Sequence, residues 1–162
     1  MNILLDYFFP IQTVSPTPEA STAFLRQVLA VVAPKMGVTP GTITLCTSQS
    51  NVAALTDNTD VQKLFEAGMT RVYVLPSSDL DLADILEAEG NEFYTVLISS
   101  DFDDADLAGL DLGTWKGVTG IASDSDVTLE AQAIIPDRCA FYSLAANNAE
   151  NMFFAFGKLL SN

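Results

Sequence analysis

RVYVLP (71–76) and FYTVLIS (93–99) are short runs with apolar residues on both sides of an extended chain. A half-exposed strand alternates apolar with polar residues. A central strand of a parallel sheet, covered on both faces, does not. Between the two runs lies DLDLADILEAEG (79–90), whose Leu82, Ile85 and Leu86 share one helical face while its acids share the other. This strand–helix–strand unit decides the fold class, because such alternation builds a mostly parallel sheet covered by helices.

The pattern extends in both directions. Upstream, TITLCT (42–47) reads as a β-branched strand, and TDVQKLFEAGM (59–69) as a helix with Val61, Leu64 and Phe65 inward and Gly68 as C-cap. NILLDYFF (2–9) reads as a first strand. After it, Pro18 and Glu19 suit a helix start, and Phe24, Val28, Val31 and Val32 recur at helical spacing before Pro34 and Gly37. Downstream, WKGVTGIAS (115–123) is a fifth strand weakened by two glycines, SDVTLEAQAII (125–135) a helix and CAFYSLA (139–145) a sixth strand. NAENMFFAFGKLLS (148–161) is a closing helix with Met152, Phe153, Phe156, Leu159 and Leu160 as its buried stripe. The expectation is an α/β fold: a layered αβα domain with a mostly parallel sheet of about five or six strands. It spans residues 1–162 as one domain, either complete or belonging to a longer subunit.

Composition narrows the chemistry. The 162 residues carry 21 acids against 7 Lys and Arg, a net charge of −14, and no histidine. Binding nucleic acid requires cations to neutralise phosphates, so neither nucleic acid nor an anionic membrane surface is an expected partner. Without histidine, Ser-His-Asp, Cys-His and zinc–histidine chemistry are excluded within the chain. Cys46 and Cys139 lie beside apolar runs and read as buried free thiols of a reducing compartment. The stretches VLAVVAP and MFFAF are too short to span a bilayer. No positively charged start precedes an apolar segment, so no signal peptide is expected.

The most suggestive candidate site is SSDFDDADLAGL (99–110), which places Asp101, Asp103, Asp104 and Asp106 where a strand stops. Ligands of open α/β sheets bind outside the carboxyl ends of the strands. DFDDA resembles the DxDx[TV] loop of haloacid-dehalogenase-like phosphatases. By that resemblance Asp101 would be a nucleophile and Asp103 an acid/base, with Mg²⁺ on the phosphate. Ala105 replaces the expected Thr or Val, the loop follows the fourth strand rather than the first, and only Lys116 and Lys158 follow as lysines. An EF-hand fails at Ala105, Asp106 and Leu112. No GxGxxG or GxxxxGK[ST] occurs, so no nucleotide cofactor is expected. The bland alternative is a solvated or protein-docking acidic face, since eleven acids and no Lys or Arg lie between Asp79 and Asp111. Trp115 reads as a core or interface anchor. Adjacent Phe153 and Phe154 cannot both point one way, which leaves Phe154 as a candidate contact residue.

FEAGMTRVYVLP (65–76), FYTVLISSDF (93–102), WKGVTGIASDSD (115–126) and DRCAFYSLAANNAENMFFAFGKLLS (137–161) together resemble bacteriophage contractile-tail sheath proteins. The likeness covers about 100 residues. It implies a structural virion protein with an α/β layered domain, assembled in the host cytoplasm and stacked with identical subunits and other tail proteins around a tail tube. Sheath subunits store the strain released in contraction and perform no chemistry on a substrate. The resemblance therefore implies no catalytic residues, no cofactor and no metal. Sheath subunits are typically longer than this chain and exchange terminal strands with neighbours. The expected contact residues are Asp101, Asp103, Asp104, Asp106, Trp115 and Phe154. The rival expectation is an Mg²⁺-dependent phosphotransfer or hydrolase domain using the acidic loop.

Overall fold

The computed structural model describes residues 27–88, 93–115, 117–122 and 149–161. Its strands are β1 (Val28–Val32), β2 (Thr44–Cys46), β3 (Val72–Pro76), β4 (Thr95–Ile98) and β5 (Val118–Ile121). The helices are α1 (Gln49–Ala53), α2 (Asp60–Glu66), α3 (Ala83–Ala88), α4 (Asp104–Ala108) and α5 (Ala149–Ser161). The five strands form one sheet in the order β2-β3-β1-β4-β5. All pairings are parallel except that of β2 with β3 at the edge. The α/β class expected from the alternation is present.

One element differs in kind. Residues 28–32, expected within a helix, form β1, the central strand, pairing with β3 through Val31–Leu75 and with β4 through Val31–Ile98. All five residues of VLAVV are buried. Where every side chain is buried, helical spacing carries no information. The three β-branched valines then favour extended backbone.

The sheet separates two cores by the period of two along its strands. Val28, Ala30 and Val32 of β1 point to the face packed by Val52 of α1, Leu64 of α2 and Phe153 and Phe156 of α5. Leu29 and Val31 point to the opposite face, packed by Leu86 of α3 and Leu107 of α4. The fifth strand carries Gly120 because a Cβ there would lie 2.7 Å from Leu97 and 3.2 Å from the ring of Phe156. That glycine admits the closing helix rather than merely weakening the strand.

On α5 the buried stripe is Met152, Phe153 and Phe156, with Leu160 half-buried. Leu159 does not belong to it and is 72% exposed. At 100° per residue the stripe centres on Phe153, Phe156 and Leu160, which puts Leu159 at its margin. Two short helices were not expected: α4 arises within the acidic loop, and α1 between the expected strand at 42–47 and helix at 59–69. The expected strand at 2–9, the helix start at 18–19, the helix at 125–135, the strand at 139–145 and Cys139 lie outside the described residues. Among the described residues, no helix is long and apolar enough to cross a membrane.

Candidate functional site

The parallel order places β3 on one side of β1 and β4 on the other. The chain leaves β1 toward β3 and leaves β4 toward β5, so the topological switch point lies between the carboxyl ends of β1 and β4. This is where sheets of this class hold ligands, and Asp101 sits there.

Its carboxylate is occupied by the chain itself. Asp101 Oδ2 accepts from the backbone N–H of Ala33, just after β1, at 2.9 Å, and from the hydroxyl of Ser99, just after β4, also at 2.9 Å. Oδ1 accepts from Asn58 Nδ2 at 2.8 Å. The side chain thus ties both strand ends to the loop before α2. A second acid deepens the closure. Asp60, only 3% exposed, accepts through Oδ2 from the N–H and hydroxyl of Ser100, at 2.9 and 2.8 Å. The loop that leads into it is fixed by local turns: Asn58 N–H donates to Thr56 Oγ1, and Asp60 N–H donates to Asn58 Oδ1.

The remaining acids of the loop start a helix. Asp103 is the N-cap of α4: its Oδ1 accepts from the N–H groups of Ala105 and Asp106, at 2.8 and 3.1 Å. The Asp106 carboxylate accepts from the N–H of Asp103 at 3.0 Å. The pair forms a reciprocal capping box, with an Asp doing what Glu does elsewhere. Asp104 is the first residue of that helix. Both oxygens of Asp101, Oδ1 of Asp103 and Oδ2 of Asp106 therefore serve the fold. Among the described residues no group of three or more His, Cys, Asp or Glu side chains could hold a metal ion. Lys35, the cation just beyond β1, pairs with Asp57 at 2.9 Å and donates to the carbonyl of Ala53 at 3.2 Å.

The other two candidates lie elsewhere. Trp115 packs against the core under α3 and α4, and its Nε1 donates to the carbonyl of Phe93 at 3.2 Å. Phe153 is fully buried while Phe154 is 38% exposed, with Lys158 Nζ 5.3 Å from its ring centre. The expected divergence of the two rings is what the helix shows. Cys46 is a buried free thiol, and burial pushes its pKa up, away from the reactive thiolate.

Sequence reasoning found Asp101 but missed Ala33, Asn58, Asp60, Ser99 and Ser100. The polar run TDNTD (56–60) is the signal that was available, and it reads only as a turn-rich loop. What emerges is a doubly covered α/β domain whose switch point is closed by its own side chains. No family model and no curated protein matches the sequence.

Proposed function

We propose that the chain is a structural subunit of the contractile-tail sheath type, assembling with copies of itself around a phage tail tube. The observation that carries this reading is the closed switch point. Asp101, Asn58, Asp60, Ser99 and Ser100 satisfy one another where a ligand would otherwise bind. The resemblance of residues 65–161 to sheath proteins supports it from the sequence side. Apolar side chains left outside the core supply contact area: Met36 is 99% exposed, and Leu45 and Leu159 are also exposed. The Mg²⁺-dependent rival gains no support from the geometry, because Asp101 already has three donors and Asp103 caps a helix.

Electron microscopy of the concentrated protein tests the reading. Rings or tubes are the expected result. A strict monomer at every concentration in light scattering overturns it. Stabilisation against melting by Mg²⁺, lost in Asp101→Asn, would revive the rival.

A further inference from the structure

A second surface lies on the opposite side of the sheet from α5. A groove of about 260 Å³ lies between the loop entering β2 and the helix α3, lined by Gly41, Ile43, Asp84, Ile85 and Ala88. Ile43 and Ile85 are half-buried and pack on the core beneath. Asp84 is exposed, and its side chain makes no hydrogen bond or ion pair among the described residues. Two isoleucines beside a carboxylate that has no ion pair among the described residues match a side chain with an aliphatic stem and a cationic head.

The surroundings share that sign. Asp81 and Asp111 are brought side by side by a parallel bridge between their segments. Asp79, Asp81, Glu87 and Asp111 are all exposed, and none forms an ion pair among the described residues. The described cations are committed elsewhere: Lys35 to Asp57, Lys63 to Glu66, Arg71 to Tyr73 and Lys158 over Phe154. A second copy carries the same net charge of −14, so on balance like charge would approach this face. We infer that the α3 groove is a docking site for a different, basic protein that inserts a lysine or arginine between Ile43 and Ile85 and against Asp84. This inference does not depend on the sheath reading.

The test uses the full chain and two amidated peptide probes of equal charge, one of lysine alternating with leucine and one of lysine alternating with glycine, followed by fluorescence anisotropy. The leucine-containing probe is expected to bind more tightly than the glycine-containing one. Its affinity should drop about tenfold or more in Asp84→Lys, a loss of about 1.4 kcal/mol. Glu66→Lys changes the net charge by the same amount on α2, in the other helix layer, and should cost far less. Ile85→Ser should remove the preference for the leucine-containing probe, with circular dichroism verifying that each variant is folded. Equal binding of the two probes, or equal losses in Asp84→Lys and Glu66→Lys, would mean diffuse attraction to an acidic protein and would overturn the groove. Absence of binding by either probe at low salt would overturn it as well.

Discussion

At the scale of single residues, Asp101 shows how a side chain that invites a catalytic reading can be structural. Its position after a strand is legible from FYTVLIS followed by SSDFDDA, because both the run and the acids are local in sequence. Its partners are not, since Ala33 and Asn58 lie 68 and 43 residues away. The pairing of β1 with β4 brings Ala33 to it, and the packing of α2 on the sheet brings Asn58. Hydrogen bonds to a charged acceptor contribute more than neutral ones, and a donor left facing another donor costs more than a bond merely lost. Asp101→Asn keeps the shape but turns an amide N–H₂ toward at least one of three donors. The expected destabilisation is about 2 kcal/mol, read as a lower urea midpoint at an unchanged slope. Asn58→Ala should cost less alone, and the double variant should cost less than the sum because the two share a bond. A midpoint unchanged by Asp101→Asn would mean that solvent, not the fold, satisfies these donors.

At the scale of elements, legibility followed burial. Helices with one wet face, α2 and α3, are readable because Leu64 and Leu86 alternate with acids and amides at helical spacing. The central strand is not readable that way, since VLAVV is covered on both faces and satisfies either period. The capping box of α4 was also present in sequence, as Asp103 and Asp106 three residues apart, but its acids drew attention as candidate ligands. The contact between α2 and α5 depends on a residue whose role no periodicity reveals. Gly157 is buried, and a Cβ there would lie 2.5 Å from the Cβ of Ala67 and 3.2 Å from the Cα of Leu64. Intrinsic propensity favours alanine over glycine inside a helix by about 1 kcal/mol. The close approach opposes it, because Ala67 and the Leu64 backbone cannot rotate away. We expect Gly157→Ala to be destabilising, by about 1–3 kcal/mol as for other overpacked contacts. Adding Ala67→Gly should recover part of that loss by vacating the same space. A more stable Gly157→Ala would show that propensity wins and that the helices separate at little cost.

At the scale of the whole molecule, net charge sets the terms on which any partner is met. With 21 acids against 7 bases, every copy repels every other at long range. The proposed contacts between copies then rest on exposed apolar side chains such as Met36 and Leu159, acting once repulsion is screened. Contact with a basic partner at the α3 groove has the opposite character, since its long-range attraction is what salt removes. The two proposed interactions are thus separable by one variable. Raising ionic strength from about 0.01 to 1 M shortens the screening length from about 30 to 3 Å. Across that range light scattering should report more self-association, while the lysine–leucine probe should bind progressively more weakly. Self-association that weakens with salt would place oppositely charged surfaces between copies, and an apolar contact would no longer explain assembly. Probe binding that ignores salt would remove Asp84 and its neighbours from the recognition and leave only Ile43 and Ile85. Measured on the same preparation, the two slopes assign each interaction to its surface without requiring that either partner be identified first.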